Sequence, residues 1–187
     1  MRRRRRTSTT TRSEPLPVAL ALGGNLGAVE QTLRSALRDL QAALGPLSVA
    51  SLYRTRAVSP IPQPDYLNTA ALAHTALEPE AILALAKSLE RAAGRRGGPR
   101  FGPRPLDIDL LVYGGQVSTD PELTIPHPRL RERRFVLQPL ADVAPGLPVP
   151  PDGATVRELL VRLGPPEPNG PNGIIEPIGW SGGPPLL

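Results

Sequence analysis

Cysteine is absent from the 187 residues, so disulfides and thiolate metal sites are excluded. Aromatic residues make up 3% of the chain, and tryptophan occurs once, at Trp180, too few for an RNA-binding sheet built on clustered rings. Histidine occurs twice, which argues against a histidine-based metal site. No run of 18 apolar residues exists, so no membrane-spanning helix is predicted. Arg2–Arg6 precede polar residues and not an apolar stretch, so no secretory signal is visible and a cytoplasmic location is expected.

The net charge of +5 first points toward nucleic acid, until it is located. Residues 1–14 carry six arginines and one glutamate, which accounts for all of it; the rest balances at sixteen of each sign. A block of like charge is predicted to be a disordered arm. Residues 1–15 are therefore read as an Arg-rich tail, 16–164 as one folded domain, and 165–187 as a second tail. The stretch GPPEPNGPNGIIEPIGWSGGPPLL is mostly proline and glycine, a composition that predicts no regular core, so Trp180 is expected to report on the tail alone.

Within the domain the hydrophobic period alternates between two and 3.6. Pro17–Leu22 reads as a strand, Ala28–Leu44 as an amphipathic helix stopped by Gly45-Pro46, and Leu47–Arg54 as a strand. Tyr66–His74 reads as a third strand, Pro79–Ala93 as a second helix, and Leu106–Tyr113 as a fourth strand. The order β-α-β-β-α-β predicts an α+β, ferredoxin-like sandwich. An extended piece over Gln116–Pro126 and a helix over Phe135–Asp142 are added after it.

The stretch FGPRPLDIDLLVYG, Phe101 to Gly114, places two carboxylates in an otherwise apolar strand. Residues two apart on a strand share a face, so Asp107 and Asp109 converge while Ile108 and Leu110 turn to the core. Such a pair calls for a cation, and oxygen ligands suit Mg²⁺ that shares its shell with phosphates. Salt bridges to nearby arginines would satisfy the same charges. Arg91, Arg95, Arg96, Arg100 and Arg104 precede the pair, the last four in a glycine-rich loop, and guanidinium forks match phosphate oxygens. A loop of this kind can close over a reacting phosphate. GGNLG, Gly23 to Gly27, joins a strand to a helix; it is a tight turn or an anion cradle, with Asn25 a turn residue or helix cap. In DYLN, Tyr66 and Asn68 share a strand face and suit a flat heterocycle, or alternatively a core ring and a turn amide. In IPHPRLRERRF, His127 stands among Arg129, Arg131, Arg133 and Arg134, which suits phosphate or simply a basic surface loop.

Together, GGNLG, SLYRT, QPDYLN, FGPRPLDIDLLVYG and LTIPHPRLRERRFVLQPLADVAP resemble the 6-hydroxymethyl-7,8-dihydropterin pyrophosphokinase family over Val18 to Leu163. The resemblance implies transfer of the terminal pyrophosphoryl group of ATP, a co-substrate, to the pterin hydroxymethyl oxygen, with release of AMP for folate synthesis. It implies two Mg²⁺ ions on Asp107 and Asp109, and Arg95 and Arg104 acting with them in catalysis. The pterin would lie between Tyr66 and Phe135, read by Asn68 and the backbone near Thr55, with Phe101 on the closing loop. ATP would meet Glu90, Arg95, Arg100, Arg104, Thr124, His127 and Arg133, and Arg104 would clamp phosphate instead of pairing with an aspartate. Partners would be these small molecules, with no nucleic acid or membrane, and the chain is expected to act as a monomer. Gly24 stands where many relatives carry serine, Phe101 where tryptophan is common, and Glu122 where some have arginine.

Overall fold

The computed structural model describes residues 14–57, 62–95, 102–166 and 175–186. The elements run β1 (Leu16–Gly24), α1 (Val29–Leu44), β2 (Leu47–Val49), β3 (Tyr53–Thr55), β4 (Tyr66–Thr75), α2 (Pro79–Ala92) and β5 (Asp107–Tyr113). They continue with β6 (Ser118–Asp120), β7 (Leu123–Ile125), α3 (Arg134–Val143), β8 (Pro148–Val149), β9 (Ala154–Thr155), α4 (Val156–Arg162) and β10 (Ile175–Pro177). The main sheet is ordered β10-β3-β4-β1-β5, with β2 also on β4, and every pairing in it is antiparallel. Helices cover both faces. No described helix is long and apolar enough to cross a membrane.

The apolar stripe read from the sequence is the buried side of α1: Val29, Leu33, Ala36, Leu37, Leu40 and Leu44. With Ile82 and Ala86 of α2 it covers Val18, Leu20, Leu22, Ala71, Ala73, Ile108 and Leu110. Each large side chain removed from water here contributes about 1.5–3 kcal/mol. The other face packs Ala19, Ala70, Leu111 and Val112 against Val136, Leu137 and Leu140 of α3 and Val156 and Leu159 of α4. One residue of β5 is extra: Ala19 faces Val112 while Leu20 faces Leu110, so Leu111 forms a bulge. The alternation therefore holds cleanly from Asp107 to Leu110, where it matters for the carboxylates.

Four local expectations change. The single strand over Leu47–Arg54 is two pieces, because three residues lie between Val49 and Tyr53 while two lie between their partners Ala71 and Asn68. The extended piece Gln116–Pro126 folds back on itself as the β6–β7 hairpin. Helix α4 was not anticipated; Thr155 and Glu158 close it with a capping box. Finally, residues 175–186 are not an unstructured tail. They add β10 to the sheet, and Trp180 packs against the core beside α1. Residues 1–13, expected to be a disordered arm, lie outside the described residues.

The β8–β9 hairpin is tied to the segment before α3 by Arg131. Its Nη2 donates to Asp152 Oδ1 at 2.6 Å and to the carbonyls of Val149 and Pro150 at 3.1 and 3.0 Å. That hydrogen bond holds the Asp152 carboxyl down at about 2, below its ordinary value of 3.8. The stabilisation is therefore complete above about pH 4 and is lost as pH falls through about 2. Asp152→Asn is expected to flatten the fall of Tm across that window; an acid slope identical to the parent's would contradict the pairing.

Candidate active site

Asp107 and Asp109 begin β5 on the α3 side of the sheet, opposite the core-facing Ile108 and Leu110. Across the sheet Asp107 faces Gly23, Gly23 faces Asn68, and Asn68 faces Tyr53; one row further, Asp109 faces Ala21. The floor between the carboxylates and Asn68 is thus made by Gly23 and Ala21. A Cβ on Gly23 would stand 2.5 Å from Asn68 Oδ1. Asn68 Nδ2 in turn donates to Thr55 Oγ1 at 2.7 Å, and both residues are buried. Tyr66 shares their face, with its hydroxyl donating to Gln63 Oε1 at 3.2 Å.

The carboxylates have arginine partners, as the salt-bridge reading of the sequence allowed. Arg95 Nη1 meets Asp107 Oδ1 at 2.6 Å, and Arg104 Nη1 meets Asp107 Oδ2 at 2.9 Å. The expectation that Arg104 leaves Asp107 alone is thereby corrected: only two residues lie between them, and the loop turns the guanidinium back onto the strand. Asp109 has looser company, with His127 Nε2 and Arg133 Nη1 each 3.7 Å from Oδ2. Burial pulls Arg95 down, but Asp107 and Glu90 outweigh it and leave its pKa raised. Burial dominates at His127 and holds it below its ordinary range, against the pull of Asp109. His127 Nδ1 accepts from Arg129 N–H at 3.2 Å, so the neutral ring carries its proton on Nε2, toward Asp109.

Glu90 lies under this cluster. It continues the buried stripe Ile82–Ala86 of α2, a carboxylate at the i+4 place where an apolar residue is due. Its Oε1 accepts the Ile108 N–H at 2.9 Å, between the two aspartates, and the same oxygen pairs with Arg95 while Oε2 pairs with Lys87 at 3.0 Å.

Asn25 was legible only as a turn residue or a cap, and it caps nothing. Its Oδ1 accepts from Arg104 N–H at 2.9 Å, and its own N–H donates to the Arg104 carbonyl at 2.9 Å. Its Nδ2 donates to Gln63 Oε1 at 2.8 Å and to the Pro64 carbonyl at 3.0 Å. GGNLG is therefore a bracket that joins the approach to Tyr66 with the approach to Asp107. Gly24 permits the contact, since a Cβ there would stand 2.5 Å from the Pro105 carbonyl oxygen. Gly24→Ala is expected to cost about 1–3 kcal/mol by overpacking and to shift Arg104. A thermal melt reports the cost; a parental Tm would show that the segment yields freely.

The remaining arginines diverge. Arg131 serves the β8–β9 hairpin, Arg134 is buried and donates to the Gly164 carbonyl, and Arg129 pairs with Glu132. Only Arg133 of that run turns to the carboxylates, and its guanidinium also lies 5.5 Å from the centre of the Phe135 ring. Thr124 donates its hydroxyl to the Asp120 carbonyl at 2.9 Å, inside the β6–β7 hairpin. Arg96, Arg100 and Phe101 lie outside the described residues. Among the described residues no group of three or more metal-type side chains is gathered.

The profile of the 7,8-dihydro-6-hydroxymethylpterin-pyrophosphokinase family matches residues 19–145. A 2-amino-4-hydroxy-6-hydroxymethyldihydropteridine pyrophosphokinase of Synechocystis is 40% identical over 147 residues, covering 77% of this chain and 74% of that protein. Its namesake in Methylorubrum extorquens is 42% identical over 148 residues, covering 78% and 92%. The fold is shared with Plasmodium falciparum HPPK-DHPS in its structure with pteroate, at a TM-score of 0.63 and 13% identity over 79% of this chain. This chain spans 44% of the length of that solved protein. The region matched by the profile holds most of β1, strands β2 to β5, both carboxylates and the bracket around them, and the chain belongs to the 7,8-dihydro-6-hydroxymethylpterin-pyrophosphokinase family.

Proposed function

We infer that the open face of the sheet transfers pyrophosphate from ATP to the hydroxymethyl group of 6-hydroxymethyl-7,8-dihydropterin, in folate synthesis. The observation that carries this reading is one row across the sheet: Asp107, Gly23 and Asn68 side by side, with Asp109 one row away. It sets an acidic, cation-binding end next to a buried amide–hydroxyl pair, Asn68 and Thr55, that reads an edge. In the reaction, the hydroxymethyl oxygen forms a bond to the β-phosphorus. The bond from that phosphorus to the oxygen bridging the α-phosphate breaks, AMP leaves, and the alcohol gives up its proton.

Two carboxylates with no thiolate form a donor set that suits a hard, water-rich cation shared with phosphates. We assign Asp107 and Asp109 to hold Mg²⁺, two ions by the family resemblance; bound there, the metal neutralises charge on the transferring phosphates. Arg95, Arg104, Arg133 and His127 surround the same spot on long or pivoting side chains, and guanidinium forks match phosphate oxygens. Their task is positioning and charge neutralisation, which is most of what phosphoryl transfer requires. Tyr66 and Phe135 stack the pterin, and Asn68 with Thr55 reads its edge. Glu90 is better placed to orient β5 and Arg95 than to touch ATP, because its carboxylate is buried. Thr124, Arg100 and Phe101 enter this reading through the family resemblance alone. The chain order and the sheet order β3-β4-β1-β5 support a ferredoxin-like core.

The test is product identity. Purified chain with MgATP and the pterin is expected to release AMP in step with pterin consumption, and ADP as the product would overturn the assignment.

A further inference from the structure

We propose that the C-terminal segment, residues 175–186, is a positioning strap for the pterin-reading end of β3. The proposal rests on the assignment of the pterin edge to Thr55 and Asn68.

Strand β3 is three residues long and would be the edge of the sheet. On its inner side it pairs with β4, and the Tyr53 hydroxyl donates to Asp142 of α3 at 2.8 Å. Its outer side is occupied residue for residue by β10, with Ile175 facing Thr55, Glu176 facing Arg54 and Pro177 facing Tyr53. The contact then continues backward along the chain. Ile178 N–H donates to the Leu52 carbonyl at 2.8 Å, and Trp180 Nε1 donates to the Ala50 carbonyl at 3.0 Å. An edge strand this short has few bonds of its own, so an added strand has a large effect on where its last residue sits.

The strap is fastened at its far end to α1. Glu30 receives the Ser181 N–H at 2.7 Å and the Ser181 hydroxyl at 2.8 Å, one on each carboxylate oxygen. Arg34 lies 5.1 Å from the centre of the Trp180 ring and donates to the carbonyls of Ser181, Gly183 and Pro184. Helix α1 itself follows directly on the GGNLG bracket. The segment therefore links the two sides of the pterin site: the start of α1 beside Asn25, and Thr55 at the end of β3. Free-energy coupling is reciprocal, so pterin held by Thr55 and Asn68 must also tighten the strap.

The experiment uses the full chain and three variants, Trp180→Ala, the milder Trp180→Phe, which keeps a ring and loses the donor to Ala50, and Asn68→Ala. Trp180→Ala is expected to raise the KM for pterin about fivefold, with kcat and the KM for ATP within about twofold. Trp180→Phe should move the same way by less, and it keeps the test open if the alanine variant does not fold. Hydrogen exchange at the amides of Ile175, Glu176 and Ile178 should slow when pterin joins the nucleotide complex. Parental KM values in folded Trp180 variants, or equal changes in all three kinetic constants, would overturn the strap. If Asn68→Ala leaves the KM for pterin unchanged while the Trp180 variants raise it, the pterin-edge assignment fails instead.

Discussion

Asp109→Asn is expected to lower kcat about a thousandfold or more while leaving Tm unchanged or slightly raised. The size follows from what the carboxylate faces. Two acidic groups share one sheet face, two residues apart, and each is partly open to solvent. Removing one charge takes away half of the anionic donor set for the cation and disorders the phosphates it would hold. The stability side separates the two aspartates. The partners of Asp109 stand at 3.7 Å, beyond hydrogen-bond distance, so little is lost from the fold when it becomes Asn. Asp107 is different, because Arg95 and Arg104 hold it at 2.6 and 2.9 Å. Asp107→Asn should therefore lose activity to a similar degree and also about 1 kcal/mol of stability. Steady-state kinetics and thermal melts of both variants decide the matter; near-parental turnover in either one would remove the cation from that residue.

The second large effect is on Glu90. Replacing it by Leu should lower stability by about 3 kcal/mol and Tm by roughly 8 °C. The change leaves the Ile108 N–H without its acceptor and takes from Arg95 one of its two carboxylate partners. Lys87 is half exposed and turns to water at small cost. Glu90→Gln keeps an acceptor for Ile108 and should cost about half as much. Activity should follow the same ranking, since Ile108 sets the path of the strand between the two aspartates. A Glu90→Leu variant with parental Tm would show that Ile108 finds another acceptor.

Much of this molecule was readable before it was folded. The stripe Val29, Leu33, Leu37, Leu40, Leu44 is spaced by threes and fours, and those residues are the buried side of α1. The alternation Asp107, Ile108, Asp109, Leu110 put both carboxylates on one face because a strand has period two, and no tertiary contact was needed to say so. Where the reading failed, the missing information lay in distant partners. The run Arg129 to Arg134 looks like one basic patch, yet its members go to a neighbouring acid, a hairpin, Asp109 and a carbonyl, because a short helical turn leading into α3 fans them out. The extra residue between Val49 and Tyr53 is invisible until the register with β4 is known.

The Pro- and Gly-rich end makes the same point most sharply. It has no periodicity, and composition alone predicts a tail. Residues 175–186 nonetheless pack on the domain, because β3 offers an edge and α1 offers Glu30 and Arg34. By itself the sequence determined the amphipathic elements, the shared face of the two aspartates and the basic residue types that gather around them. Those properties are local, set by backbone period and side-chain chemistry. Only the tertiary structure decided that Asn25 brackets Arg104 across 79 positions, that Glu90 supports Ile108, and that the chain's end straps β3. Each of these joins groups far apart in the chain, and such pairing is settled by sheet order and packing, which no local pattern encodes.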